Sequence, residues 1–223
     1  DIALEGKMLG AAFAAAAMAS VSGSAWIGLL FGILFAMFLA MLHAYACVTH
    51  KGDQVVSGMA INILVAGLAP TMALAWFKMG GQTPALTGDA RFKPITLPLA
   101  DTLADVPVIG GLYSEILSGH FIIVYLAFAA VPLTAWIVYR TRFGLRLRAV
   151  GESPEAVDTA GISVDRMRYQ ALLITGLLCG VAGAYLSTAQ TASFIRDMSA
   201  GQGFIALGQA NGLAQQAHPK RSR

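Results

Sequence analysis

Charge is scarce in this chain. Asp, Glu, Lys and Arg make up 12% of its 223 residues, against about 25% in a soluble globular domain. That shortage argues against a water-facing surface over most of the molecule. Cysteine is nearly absent as well. Cys47 and Cys179 fall in separate apolar runs, which supports no disulfide framework. The four histidines, His43, His50, His120 and His218, show no ligand spacing with each other or with the cysteines, so no metal site is expected. No G-x-x-x-x-G-K-[ST] occurs anywhere, which excludes nucleotide binding through a P-loop. Any energy from ATP has to come from another subunit. The formal net charge of +3 says little as a total, and its distribution matters more.

What fills the chain instead is apolar. Hydrophobic residues are 57% of the sequence, with a mean hydropathy of +0.66. Runs appear at 8–20, 25–49, 55–77, 121–139 and 169–189. Four of them reach or approach the roughly 20 residues needed to cross a hydrocarbon core of about 30 Å. They lack the strand alternation of a lipid-facing barrel, so the fold class is all-α, a polytopic transmembrane helical bundle of about five membrane helices.

Arginine placement orients the bundle. The loop 140–169 carries Arg140, Arg142, Arg146, Arg148, Arg166 and Arg168, whereas the longer segment 78–119 has only Lys78, Arg91 and Lys93. By the positive-inside rule the first is cytoplasmic and the second external. Counting spans backwards puts the turn 51–54 inside and the turn 21–24 outside, with no forced span. The external segment holds Pro84, Pro94, Pro98 and Pro107 among several glycines. It reads as a turn-rich loop with a short interfacial helix near 112–117, and serves either as a docking surface or as a passive connector.

The first apolar run is short, about 14 residues or near 21 Å of helix. Either a span is cut at the start of the sequence, or a half-helix starts inside the bilayer with Glu5 and Gly6 in its unwound approach. Broken helices of the second kind place polar groups at transporter substrate sites. Lys7 then has to snorkel or pair with Glu5. Asn62 lies in the third run with Pro70 about two turns later. It makes either an interhelical hydrogen bond beside a kink or a polar contact on a solute path. Glycine pairs at G-x-x-x-G spacing are no more frequent than this glycine-rich composition predicts. Gly176, Gly180 and Gly183 nevertheless suit a close helix approach.

Inside the basic loop, residues 153–161 (Ser-Pro-Glu-Ala-Val-Asp-Thr-Ala-Gly) have the grammar of one short helix. Ser153 can cap it, Pro154 suits the first helical position, and Glu155 complements the dipole in the first turn. Gly161 can take the left-handed stop. About seven residues make a peg of roughly 10 Å, too short to persist without a partner surface. A capped peg on a cytoplasmic loop is a docking device.

These pieces together resemble a known family. Residues 2–9, 54–62, 139–152 and 182–187, in that order, are similar to the permease subunit of bacterial ATP-binding cassette (ABC) importers for branched-chain amino acids, simple sugars and nucleosides. The nucleoside and simple-sugar branch is the nearest. Glu155-Ala156-Val157 followed by Gly161 resembles the E-A-A-x-x-x-G loop that contacts the ATPase, with Val157 in place of the second alanine. The resemblance covers residues 1 to about 207, and it implies a transport subunit with no catalytic residue of its own. It further implies that Ser153, Pro154, Glu155, Ala156, Asp158 and Gly161 form the coupling loop, with Glu5 and Asn62 toward the solute path. The implied partners are an ABC ATPase carrying ATP-Mg, a second permease subunit, an extracytoplasmic solute-binding protein and membrane lipid. No cofactor is expected on this chain, nor a nucleic-acid partner. The implied location is the bacterial inner membrane.

Two departures stand out. The chain starts at Asp1, where family members have preceding spans, so it reads as a fragment. Beyond Leu207 the family continues into another apolar span, whereas here residues 208–223 read as a polar tail. Two other classes share the spans: a secondary transporter or channel, and an intramembrane hydrolase built from Ser22, Ser24 and His43.

Overall fold

The computed structural model describes residues 1–95 and 119–217. The interfacial helix expected near 112–117 and the last six residues of the chain lie outside them. Two compact units emerge, one from residues 1–91 and 154–223, the other from residues 92–153.

In the larger unit, α1 (Leu4–Ser22), α2 (Ala25–Ala44), α3 (Gln54–Phe77) and α7 (Val164–Tyr185) form a helical bundle. Helices α2 and α7 each run on into a single π-helical turn, Tyr45–Thr49 and Leu186–Gln190. Small residues let the helices close up. Gly176 and Gly180 face α2 at Ala36, Ala40 and Ile33, and a side chain on Gly183 would stand 2.2 Å from the Met8 carbonyl of α1. In lipid, where the hydrophobic effect between helices is absent, such close backbone approach drives association. The outer faces carry large apolar groups such as Leu34, Phe38, Ile63 and Trp76, as lipid contact requires.

Capping explains the boundaries. The Asp53 carboxylate accepts from the Val55 and Val56 N–H groups at 2.7 and 3.0 Å and opens α3. The Ser163 hydroxyl accepts from Arg166 N–H and opens α7. Gly23, left-handed at φ 70°, closes α1.

The smaller unit holds a two-residue antiparallel pairing of β1 (Pro94–Ile95) with β2 (His120–Phe121). It also holds α4 (Ile122–Arg140) and α5 (Arg142–Glu152). Helix α4 is apolar all round and nearly bare, with Leu126, Phe128, Val131, Leu133 and Trp136 exposed. Thr141 accepts from Gly144 N–H to start α5, and the Arg148 guanidinium lies 5.2 Å over the Tyr139 ring.

Among the described residues five helices are long and apolar enough to cross a membrane: Leu4–Ser22, Ala25–Thr49, Gln54–Phe77, Ile122–Arg140 and Val164–Gln190. These are the five runs read from the sequence, with two corrections. Glu5 and Gly6 are not in an unwound approach; both lie in the first turn of α1, a helix of 19 residues. Their polar groups find tertiary partners, so the helix extends past the edge of the apolar run. The basic loop holds more than one short helix. Helix α5, α6 (Pro154–Thr159) and the first turns of α7 take up most of it, because Arg and Leu are strong helix formers once Thr141 supplies a cap. Residues 208–217, the start of the polar tail, continue α8 (Gln202–Ala217), as expected where Ala, Gln and Leu propagate a helix already started.

Candidate functional site

The polar groups of the bundle converge on the first turn of α1. Helix starts leave N–H groups without intrahelical partners, and here a side chain from another helix supplies one. Asn62 of α3 accepts from Gly6 N–H at 2.7 Å through Oδ1, and its Nδ2 donates to the Ile2 carbonyl at 2.9 Å. Position 6 has to be glycine for this approach, since a Cβ would sit 2.8 Å from Asn62 Oδ1. Asn62 lies eight residues past Gln54, so α1 begins about 12 Å along α3.

One residue earlier, Glu5 performs the same service for α8. Its carboxylate accepts from Ser199 Oγ–H at 2.6 Å, Gly201 N–H at 2.9 Å and Gly203 N–H at 2.7 Å. The two residues expected on a solute path are thus neighbours in space, and both are committed to backbone at helix starts. Asn62 holds α1, and α1 through Glu5 holds α8.

Between the π-helical turn that ends α7 and the start of α8 the chain is not helical. Residues 191–201 run along α1 in the opposite sense. Ala192 packs with Ala19, the Phe194 ring stands edge-on to Phe13 at 5.3 Å, and Ser199 and Gly201 reach Glu5. From Ala19 to Glu5 is about 21 Å of helix. Irregular backbone at that depth is tolerated only where protein buries it or water lines it. Non-helical backbone thus lies after α7, alongside α1, and not before α1 where the half-helix reading expected it.

Below Glu5 lies a second polar network. Lys7 is fully buried and pairs with the Asp1 carboxylate. His43 Nε2 stands 3.6 Å from the same carboxylate, and His43 Nδ1 shares a 3.0 Å hydrogen bond with Ser57 Oγ. A cavity of about 170 Å³ bordered by Asp1, His43, Cys47, Gln54 and Arg168 adjoins it. Lys7 therefore pairs with Asp1, not with Glu5. Ser22 donates to the Met18 carbonyl at the far end of α1, and the Ser24 hydroxyl makes no capping hydrogen bond to α2. Neither serine meets His43, so the hydrolase constellation does not form. Ser57 was not singled out in the sequence, where nothing marks it as the partner of His43 on the preceding helix.

The peg residues lie elsewhere. Pro154 opens α6, Glu155 is in its first turn, and Ser153 is the extended residue that ends α5. Ile162 N–H reaches the Val157 carbonyl at 3.2 Å and Gly161 N–H reaches Asp158 at 2.9 Å, with Gly161 at φ 78°. That is a Schellman stop. Val157 is buried, and Glu155, Ala156, Asp158 and Gly161 are exposed, so α6 is anchored on one side and presented on the other.

Known proteins match this sequence over most of its length. The family model for the permease component of branched-chain amino acid transport systems covers residues 1–210. A nucleoside ABC transporter permease of Lactococcus lactis is 34% identical over 93% of this chain and 64% of its own. A guanosine ABC transporter permease of Bacillus subtilis gives the same three figures. A protein of Haloferax volcanii, provisionally named as a glucose ABC transporter permease, is 34% identical over 93% of this chain and 60% of its own. The chain thus spans about three-fifths of the length of the curated relatives it matches. No solved structure matches it. With its five membrane-length helices and this match over residues 1–210, the chain belongs to the branched-chain amino acid transport system permease family and is a multi-pass protein of the inner membrane.

Proposed function

We propose that this chain forms the solute path of an ABC importer, carrying a nucleoside or a simple sugar. The observation that carries the reading is the 34% identity over 93% of the chain to permeases named for nucleoside and guanosine transport. The chain has no P-loop, so ATP-Mg sits on a separate ATPase. Further partners are a second permease subunit and an extracytoplasmic solute-binding protein. The path follows α1 beside residues 191–201, where Glu5 and Asn62 gather polar groups in an otherwise apolar bundle. Helix α6 is the contact to the ATPase: exposed Glu155, Ala156, Asp158 and Gly161 face outward from the buried Val157. The loop 140–169 is cytoplasmic and the segment 78–119 external, on the arginine distribution.

The test is uptake by the full-length permease reconstituted with its ATPase and binding protein. Radiolabelled guanosine, adenosine, ribose and glucose are compared with and without ATP. ATP-dependent uptake of one class is expected. Uptake without ATP, or without the ATPase subunit, would instead mark a secondary transporter or channel.

A further inference from the structure

The segment 191–201 is pinned at both ends, and the pins come from different parts of the chain. At the upper end residues 83–91 clamp it. Thr83 N–H donates to the Phe194 carbonyl at 3.1 Å, and Phe194 N–H donates to Thr83 Oγ1 at 2.8 Å. Leu86 N–H reaches the Ala192 carbonyl at 2.7 Å, and Arg91 Nη2 reaches Ala189 at 3.3 Å. At the lower end a single side chain, Glu5, accepts three hydrogen bonds from the 199–203 turn, while Ala200 and Gln202 N–H pair with backbone carbonyls. Gly203 approaches Glu5 so closely that a Cβ there would lie 2.6 Å from Glu5 N.

Along this segment the backbone is strained. Ala192, Asp197 and Ala200 have φ of 54°, 57° and 44°. Residues with a Cβ rarely adopt this region, and they persist in it only where their surroundings over-determine them. Three such residues in nine, held by a clamp and one carboxylate, are kept in place by their contacts and not by their own backbone preference.

We propose that residues 191–201 form a strap that closes the solute path along α1, with Glu5 as its releasable latch and residues 83–91 as the lever through which an event on the external face reaches that latch. This rests on the permease reading above and adds to it the moving part and the residue that holds it shut. In the closed state Glu5 occupies Ser199 O–H and the Gly201 and Gly203 N–H groups. On release the same donors and the carboxylate face the path together, a pattern suited to hydroxyl-bearing solutes. Asn62 is the positioning residue, because it fixes the first turn of α1 from which Glu5 projects.

Two measurements on the full-length permease–ATPase complex, with Cys47 and Cys179 replaced, decide it. The first uses the pair Thr83→Cys and Phe194→Cys, which the two hydrogen bonds hold side by side. Oxidation should lower uptake of radiolabelled guanosine or glucose by about tenfold or more, a shift of the moving population of that size, and reduction should restore it. Full uptake by the oxidised, mass-verified cross-link would overturn the strap. The second uses Met198→Cys and a water-soluble maleimide. Adding Glu5→Ala should raise the labelling rate several-fold, with Glu5→Gln in between. Equal rates in all three would overturn the latch. The labelling does not depend on transport, so a reduced sample that takes up neither solute would count against the permease reading and leave the strap to be judged by labelling.

Discussion

Asn62 uses both ends of its amide on one helix start, accepting from Gly6 and donating to Ile2. In a low-dielectric interior, losing it leaves a donor and an acceptor unpaired, at a cost of about 1–3 kcal/mol. Asn62→Ala should therefore lower the unfolding midpoint in detergent. Gly6→Ala should do so by a similar amount, since its Cβ would meet Asn62 Oδ1 at 2.8 Å and the helix pair would have to part. The double variant should cost clearly less than the sum, because both changes break one contact. Strict additivity would show that Asn62 acts elsewhere. Lys7 obeys a different rule. It is buried against Asp1, and removing one member of a buried ion pair leaves the other uncompensated, at about 3–5 kcal/mol. Lys7→Met alone should destabilise the protein in thermal unfolding, while Lys7→Met with Asp1→Asn should recover most of the loss. If the single variant is as stable as the parent, water reaches Asp1 through the adjoining cavity and already compensates it.

At the scale of elements, the sequence announced what short-range chemistry decides and hid what long-range pairing decides. The stop of α6 was legible because a glycine after a short capped run has few other uses, and Gly161 is at φ 78° within a Schellman pattern. The start of α1 was misread. Glu5 and Gly6 look like the edge of an apolar run until Ser199, 194 positions from Glu5, and Asn62, 56 positions from Gly6, turn out to pair there. The strap was invisible for the same reason, since Thr83 and Phe194 lie 111 residues apart. Helix α6 supports a prediction at its own scale. A β-branched residue at a left-handed stop costs about 1 kcal/mol or more and re-aims the chain behind it. Gly161→Val in the full-length complex should weaken ATPase co-purification or leave ATP hydrolysis running with uptake reduced, and Glu155→Lys, which reverses the charge at the α6 N-terminus, should do the same. Membrane insertion should be unchanged, because both residues lie outside the spans. Normal binding and normal coupling in both variants would remove α6 from the ATPase interface.

For the molecule as a whole, orientation in the membrane decides whether the peg and the strap face the sides their proposed roles require. Bundle packing cannot supply it, because turning the whole bundle over leaves every interhelical contact intact. The asymmetry lies in the loops: six arginines between 140 and 169, against one arginine and two lysines between 78 and 119. Short loops rich in Lys and Arg stay on the cytoplasmic side, and α6 belongs to the arginine-rich one. The lever residues 83–91 belong to the other. With Cys47 and Cys179 replaced, cysteines at Asp158 and Asp89 test both sides at once, and each site is exposed. A membrane-impermeant maleimide added to whole cells or right-side-out vesicles should modify Asp89→Cys and spare Asp158→Cys, with the pattern reversed in inverted vesicles. Labelling of Asp158→Cys from outside would put the peg where no ATPase could meet it, and would put the strap's lever on the cytoplasmic face. The coupling reading and the external trigger for the strap would then fall together, while the Glu5 latch, which depends only on contacts within the bundle, would still stand.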